Sequence, residues 1–295
     1  MSTIVAEKKI LNNQKQDLYL YVSEFLHKNV GLELTRSRFE LLEKEINTIL
    51  DIALDFNPKF SVNASQLEDL IHIFSNHETS FYRHAEHFDI LYNEIFPSFF
   101  GDNPDKPIRI WSAACSYGQE VYSIAILLEE FLDRELYLRA RKLINTENIQ
   151  AKHRNISITG TDISKNVIEF AQNGVYSLKE LDRNLSKAYR ILLDNYCIIK
   201  HDRLLVSNLI KSQVEFKVYN LLQSNFQEKF DIIFCRNVLI YFKPEVQSKV
   251  IQKMVENLNT GGYIFIGPSE TIFGMEAELE TIHSGHCVFY RKLGI

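Results

Sequence analysis

The chain has 295 residues, 45% hydrophobic and 24% charged, which are the proportions of a globular protein and exclude a disordered one. A net charge of −5, from 33 Lys and Arg against 38 Asp and Glu, gives no sign of a nucleic-acid partner. Because the longest uncharged apolar run is residues 121–128 and no apolar stretch follows Lys8 and Lys9, we expect no membrane insertion, no signal peptide and a cytoplasmic location.

Residues 1–76 are predicted to form an all-helical domain. Apolar side chains recur at helical spacing in three stretches, residues 17–29, 39–56 and 65–75. Only Gly31 lies in the first hundred residues, whereas the other ten glycines follow from Gly101 onward. Amphipathic segments without glycine-rich turns are typical of a small helical bundle.

A connector, residues 77–107, precedes a second domain, residues 108–295. The connector is rich in aromatic residues and ends in a linker with one Gly and two Pro, residues 101–107. In the second domain short β-rich runs alternate with helical segments, which predicts an α/β fold with a doubly wound parallel sheet. The predicted strands are residues 108–113, 156–161, 214–219, 230–235 and 263–266, and the predicted helices are residues 119–132, 164–172 and 244–258. A last run, residues 287–291, is predicted to be an antiparallel edge strand.

Polar residues follow the predicted strands, at the edge where open parallel sheets bind ligands. In strand order these residues are Glu120 at the end of a small-residue loop, then Asp162, then Asn220 and Leu221, then Arg236 and Asn237. The single glycine of the loop, Gly118, disfavours a pyrophosphate site, and Asp162 suits the two hydroxyls of a ribose. Gly118 and Asp162 are 44 residues apart, about twice the separation of ~20 typical of NAD sites. The pattern favours a nucleoside cofactor without pyrophosphate, such as S-adenosylmethionine.

Several sequence blocks resemble the chemotaxis-receptor glutamate methyltransferase (CheR) family. They lie in the family's order across residues 79–291, and the longest is FDIIFCRNVLIYF at residues 230–242. The others are TSFYR at residues 79–83, RIWSAACS at 109–116, GQEVYSIA at 118–125, TDI at 161–163, NGVY at 173–176, GG at 261–262 and SE at 269–270. The resemblance implies a small N-terminal helical bundle followed by a Rossmann-like class I S-adenosylmethionine-dependent methyltransferase domain, with a small antiparallel insert near residues 195–212.

The resemblance also implies a function, the transfer of methyl from S-adenosylmethionine to glutamate side chains on chemoreceptor cytoplasmic helices. It implies catalytic roles for Tyr241, which would orient the acceptor carboxylate, and for Arg83, which suits the methionine carboxylate of the cofactor. The implied cofactor-binding residues are His77, Thr79, Arg83, Glu120, Asp162, Asn220, Leu221, Arg236 and Asn237. Because a glutamate with a reference pKa of about 4.3 is ionised at pH 7, no general base is required.

Structural interpretations stand beside these functional ones. Asp162 would cap the helix that begins near residue 164, and Glu120 would be a first-turn carboxylate favoured by the helix dipole. Arg83 would be a surface arginine and Tyr241 a packed aromatic residue. The functional alternatives are a non-catalytic CheR-like regulator or scaffold, and a methyltransferase of nucleic acids or small molecules. The Asn/Asp-Pro-Pro-aromatic motif expected of an amino-methyltransferase is absent after the fourth predicted strand.

The chain departs from the family pattern at several points. His77 stands where relatives usually have Asn, and Gln119 replaces the first of two acids. Residues 1–75 carry eight Lys and Arg against eleven Asp and Glu, although this domain is often basic in relatives that dock on receptor helices. Residues 196–211 lack the extra glycine of relatives that bind a receptor's C-terminal tail peptide, so we expect no such binding here.

No metal site or disulfide is predicted. His84 and His87 lie three residues apart, but no second pair of ligands with suitable spacing accompanies them. The four cysteines are scattered singly, which favours reduced thiols packed as small hydrophobic side chains.

Overall fold

The computed structural model describes residues 2–50, 62–75, 78–101, 105–142, 155–182, 184–222, 226 and 228–294. The chain divides into two compact units, Met1–Asn76 with Ile240–Lys249, and His77–Leu239 with Val250–Ile295. Within the described ranges, every helix is too short or too polar to span a lipid bilayer.

The first unit is built from helices, α1 (Ser2–Val30), α2 (Arg36–Leu41), α3 (Glu43–Ile49) and α4 (Ala64–Phe74). Leu18, Val22 and Leu26 recur every four residues on α1 and are almost fully buried, as expected of the core-facing stripe of an amphipathic helix. The sequence pattern predicts one helix over residues 39–56, but α2 and α3 are separated at Leu42, which has φ −102° and ψ 10°. Residues 51–61 lie outside the described residues.

The chain returns to the first unit at Ile240–Lys249. Leu32 pairs with Phe242 in an antiparallel bridge, and the Glu33 amide donates to the Tyr241 carbonyl oxygen at 2.9 Å. Phe242 is buried, with 7% of its surface exposed. Two segments that are far apart in the sequence therefore form one unit.

The second unit contains two sheets in its described residues. Its strands are β1 (Ile108–Ala113), β2 (Ile156–Asp162), β3 (Val175–Ser177), β4 (Cys197–Lys200), β5 (Arg203–Val206), β6 (Val214–Val218), β7 (Phe230–Cys235), β8 (Leu258–Ile266), β9 (Leu279–Ser284) and β10 (Cys287–Lys292). The larger sheet has the strand order β6–β2–β1–β7–β8–β10–β9. Neighbours from β6 to β8 are parallel, and β10 is antiparallel to both β8 and β9. The predicted fold class, helical bundle followed by a doubly wound α/β sheet, is confirmed.

The prediction that residues 287–291 form the edge strand is wrong. These residues form β10, which is antiparallel as predicted but lies between β8 and β9. The edge strand beside β10 is β9, with the sequence LETIHS, and only Leu279 at its start is fully buried. An edge strand with only one fully buried side chain carries no continuous apolar run, which is why the pattern does not reveal it.

The aromatic connector is helical from Ala85 to Phe100. The helices of this unit are α5 (Ala85–Ile90), α6 (Phe96–Phe100), α7 (Gln119–Lys142), α8 (Lys165–Asn173), α9 (Lys187–Tyr196), α10 (Asn208–Lys211) and, from Val250 onward, α11 (Pro244–Asn257). A single π-helical turn, Leu91–Ile95, joins α5 to α6. Phe88 and Phe96 of this segment are completely buried in the same hydrophobic core as strands β1 and β7. The connector is thus an integral layer of the second unit.

The smaller sheet is antiparallel and has the order β3–β5–β4. Strands β4 and β5 are joined by the two-residue turn His201–Asp202, in which His201 has φ +57°. Ile198 and Ile199 of β4 are exposed. The sheet begins at Val175, well before the insert that the sequence predicts near residues 195–212.

Candidate functional site

The strand register brings several sequence-predicted residues to one edge of the larger sheet. Ala113 at the end of β1 is opposite Thr161 of β2 on one side and Cys235 of β7 on the other. Asp162 and Arg236 are therefore positioned on either side of the loop that follows β1.

This loop, residues 114–118, is held in a strained conformation. Ala114 and Ser116 have φ of +59° and +51°, which costs non-glycine residues about 1–2 kcal/mol each. The Cys115 amide donates to the Thr161 carbonyl oxygen at 2.8 Å, so the loop is fixed to the end of β2. Gly118 has φ +86°, and a Cβ there would lie 2.8 Å from the Cβ of Ala171, so its missing side chain serves the packing of the loop on α8. Such strain is typical of sites whose geometry matters for binding.

Asp162 is buried, and both of its carboxylate oxygens accept backbone hydrogen bonds. Oδ2 accepts from the Ser116 amide and Oδ1 from the Ser164 amide, each at 3.0 Å. The bond to Ser164 closes the turn before α8 and reaches the amide of the N-cap residue itself, so it is not the helix cap that the sequence suggests. The bond to Ser116 connects the loops that follow β1 and β2. An ionised carboxylate has about four acceptor positions, so these bonds are compatible with additional hydroxyl donors.

Arg236 forms a buried ion pair with Glu120. Its Nη1 lies 2.9 Å from Glu120 Oε2, and the two side chains are 2% and 16% exposed. The Ser112 hydroxyl donates to the other oxygen of Glu120 at 2.8 Å. Burial lowers the pKa of the Arg236 guanidinium, and the Glu120 carboxylate opposes this effect. The Arg236 Nε is buried and has no hydrogen-bond partner among the described residues.

Arg236 also reaches the connector. Its Nη2 donates to the Arg83 carbonyl oxygen and lies 2.6 Å from His84 Nδ1. His84 has φ +58°, and burial together with the charges of Arg236 and Arg83 lowers its pKa to about 4. A neutral imidazole at pH 7 accepts this hydrogen bond through Nδ1. Sequence reasoning missed both Ser112 and His84 as partners, although His84 is adjacent to Arg83.

The predicted residues of the connector are only partly described. Arg83 is half-buried, and its Nη1 donates to the Glu78 carbonyl oxygen at 2.6 Å. Thr79 is also half-buried. His77 lies outside the described residues.

Asn220 and Leu221 follow β6 in a loop that is attached to β2. The Tyr219 amide donates to the Asp162 carbonyl oxygen at 2.8 Å, and Asn220 Oδ1 accepts from the Leu222 amide at 2.9 Å. Leu221 is partly exposed. The loop places the ring of Tyr219 in a stack with Phe226, at a centroid distance of 4.6 Å.

Asn237 and Tyr241 lie beyond the end of β7. Asn237 has φ +58°, and its amide donates to Glu270 Oε2 at 2.9 Å. Glu270 was not predicted to be a site residue, and only its place in the SE block at residues 269–270 signals it. Tyr241 ends the 3₁₀ turn Leu239–Tyr241 and belongs to the first unit, where its carbonyl oxygen accepts from Glu33.

Comparison with known proteins gives a consistent result. A family model described as the CheR methyltransferase, SAM binding domain, matches residues 77–288. The chemotaxis protein methyltransferase of Borreliella burgdorferi is 32% identical over 277 residues, covering 90% of this chain and 91% of that protein. That of Vibrio parahaemolyticus is 31% identical over 287 residues, covering 92% and 96%. Chemotaxis protein methyltransferase 1 of Vibrio cholerae is 34% identical over 219 residues, covering 74% and 73%.

Proposed function

The chain belongs to the CheR methyltransferase family, and from this premise we propose that it transfers the methyl group of S-adenosylmethionine to glutamate side chains of chemoreceptor cytoplasmic domains. The observation that carries the proposal is that the family match, residues 77–288, contains the loops after β1, β2, β6 and β7 that form the site. Neither the family model nor the names of the relatives favour a non-catalytic regulator.

The residues at the sheet edge fit S-adenosylmethionine better than a dinucleotide. Asp162 presents a carboxylate at the end of β2, which suits the two hydroxyls of a ribose. The position that a Cβ of Gly118 would take is occupied by Ala171 and Phe216, so this glycine does not open the loop to a pyrophosphate. S-adenosylmethionine, when bound, supplies an electrophilic methyl group on a sulfonium.

Each residue near the edge has a proposed task. Asp162 accepts hydrogen bonds from the ribose hydroxyls, and the Arg83 guanidinium donates to the methionine carboxylate. The remaining proposed contacts to the cofactor are His77, Thr79, Glu120, Asn220, Leu221, Arg236 and Asn237. Since the guanidinium of Arg236 is directed toward Glu120, His84 and the Arg83 carbonyl oxygen, its main contribution is to fix those groups in place.

The chemistry demands little from acidic or basic side chains. A glutamate acceptor is already ionised at pH 7, because its reference pKa is about 4.3. The chain accelerates transfer by orienting the acceptor carboxylate in line with the methyl group and by excluding water from it. In this proposal Tyr241, at the family's active-site tyrosine position, donates a hydrogen bond that orients the acceptor.

The substrate surface is also part of the proposal. The receptor is recognised through its methylated helices, without a contribution from its C-terminal tail. Residues 196–211 lack the glycine found in tail-binding relatives, and the turn between β4 and β5 consists of His201 and Asp202.

Incubation with radiolabelled S-adenosylmethionine and a chemoreceptor cytoplasmic fragment tests the function. We expect label on the fragment that is released as methanol by mild base, as for a methyl ester. Asp162→Ala is expected to lower the rate at least about tenfold, by removing hydrogen bonds to an ionised group. Asp194→Ala, at an exposed carboxylate of α9, is the matched control. Binding of the cofactor without any transfer would instead support the non-catalytic alternative.

A further inference from the structure

The carboxylate of Glu270 joins the ends of two neighbouring strands. Its Oε2 accepts from the Asn237 amide, just after β7, at 2.9 Å and from the Gly267 amide, just after β8, at 2.6 Å. The Glu270 amide in turn donates to the Gly267 carbonyl oxygen at 2.9 Å. Glu270 is buried, with 9% of its surface exposed. One oxygen atom thus fixes where the two strand ends stand relative to each other.

Gly267 is required for this arrangement. A Cβ at this position would lie 2.6 Å from Glu270 Oε2 and 3.0 Å from both the backbone nitrogen and Nδ2 of Asn237. Real Cβ atoms do not approach an oxygen so closely, so any side chain would displace the carboxylate or the Asn237 backbone. Gly267 and the Glu270 carboxylate are therefore both needed for this hydrogen-bonded arrangement.

The Asn237 backbone needs such support. Its φ of +58° is a left-handed conformation, which asparagine tolerates better than most residues but which still costs free energy. A buried, charge-assisted hydrogen bond to its amide is about twice as strong as a neutral one and selects this conformation. Asn237 is also the residue that directly follows Arg236, so its orientation is tied to the buried ion pair.

The Glu270 carboxylate also acts on neighbouring titratable groups. Burial lowers the pKa of the Arg236 guanidinium, and Glu120 and, to a smaller extent, Glu270 oppose the shift. Burial also raises the pKa of the Cys235 thiol well above its usual range, and the Glu270 carboxylate adds to this. Two carboxylates therefore act on the one buried guanidinium.

We propose that Glu270 is a positioning residue for cofactor binding, which holds Asn237 in its left-handed conformation at the cofactor site through a carboxylate shared with Gly267. The proposal rests on the proposed function in one respect, the assignment of Asn237 as a contact of the cofactor. Glu270 itself contacts the backbone of Asn237, and its effect on cofactor binding is exerted through Asn237.

Calorimetric titration with S-adenosylhomocysteine measures the effect without any turnover. We expect Glu270→Gln to raise the Kd about tenfold, the size expected when a charge-assisted hydrogen bond becomes a neutral one. Glu276→Gln is the matched control, because Glu276 is an exposed carboxylate of the same loop whose Oε1 accepts from the Gly274 amide at 3.1 Å. Its Kd should stay within about twofold of the wild-type value. Gly267→Ala is a second, independent variant with the same expected loss as Glu270→Gln.

A double-mutant cycle with Asn237→Ala separates positioning from general stability. If Glu270 acts through Asn237, the double variant binds no more weakly than Asn237→Ala alone. The proposal would be overturned if the losses of binding affinity were additive. It would also be overturned if both Glu270→Gln and Gly267→Ala had a lowered Tm with an unchanged Kd. If the wild-type chain fails to bind S-adenosylhomocysteine, the proposed function fails; if it binds and the two variants bind equally well, only the role of Glu270 fails.

Discussion

Arg236 contacts three other residues of the site, and nearly all of its side chain is buried. It joins β7 to the start of α7 through Glu120 and to the connector through Arg83 and His84. A buried ion pair adds little net stability compared with apolar packing, because both charges lose their hydration. Removing one partner of the pair is strongly destabilising, because the other partner then remains charged, buried and uncompensated.

This asymmetry gives a prediction for the pair. Glu120→Ala should lower the free energy of unfolding by about 3 kcal/mol, as expected when a buried partner charge is left alone. The control is Glu169→Ala, which breaks the exposed pair of Lys165 and Glu169, 3.8 Å apart, and should cost about 0.5 kcal/mol or less. Urea denaturation of the two variants and the wild type measures the difference. Equal losses of unfolding free energy in Glu120→Ala and Glu169→Ala would show that the Glu120 carboxylate is not needed to compensate the charge of Arg236.

The residues that could be predicted from the sequence are those at strand ends. Asp162 is recognisable because a carboxylate after an apolar run marks the carboxyl edge of a parallel sheet. Glu270 is not, because it acts on a backbone amide 33 residues away. Ser112 is not, because it acts on the side chain of Glu120 from within a buried strand, where a small hydroxyl residue gives no distinctive pattern. The left-handed conformation of Asn237 likewise depends on Gly267, thirty residues further along the chain.

At the scale of elements, buried parallel strands were the most predictable. The bounds of β1 and β7 equal the predicted residues 108–113 and 230–235, because strands buried on both faces have continuous apolar sequences. Edge strand β9 and the helical connector escaped prediction for opposite reasons. In β9 half of the side chains are exposed, so no apolar run marks the strand. The connector does carry a helical pattern, with a polar face exposed opposite a buried aromatic face, but the sequence prediction treats it only as an aromatic and polar segment. The exposed polar residues are Glu86, Asp89, Asn93 and Glu94.

The smaller sheet carries the prediction about the receptor tail. We expect a peptide with the sequence of a receptor's C-terminal tail to show no binding at micromolar concentration, because the turn His201–Asp202 provides no glycine for close backbone approach. Fluorescence anisotropy of a labelled peptide measures this directly. A tail-binding relative serves as the positive control, and saturable micromolar binding to this chain would contradict the prediction.

At the scale of the whole molecule, the first unit depends on two distant parts of the chain. The bridge between Leu32 and Phe242 and the hydrogen bond from Glu33 to Tyr241 hold Ile240–Lys249 against the helical segment. The helical unit is therefore not a separable N-terminal appendage. The helical unit is complete only when it includes the segment that carries Tyr241.

Glu33→Pro tests this dependence in the full-length chain, because proline removes the amide that donates to Tyr241. The lost hydrogen bond, worth about 1 kcal/mol, should speed chymotryptic cleavage after Phe242 about fivefold, since proteolysis follows the population of the open form. Glu33→Ala keeps the amide and changes only an exposed side chain, so its cleavage rate should match the wild type. Identical rates for the proline and alanine variants would argue against the dependence.

The return of the chain at Ile240–Lys249 also has a consequence for the order of events on the ribosome. Domains generally fold as units during synthesis, with the N-terminal one first. Here the N-terminal helices emerge first but lack part of their unit until residue 249 has been translated, by which time β1, β2, β6 and β7 have already been made. The first unit is therefore synthesised first, but it cannot be completed until most of the second unit has been made. The region that contains Tyr241 is thus completed late in synthesis.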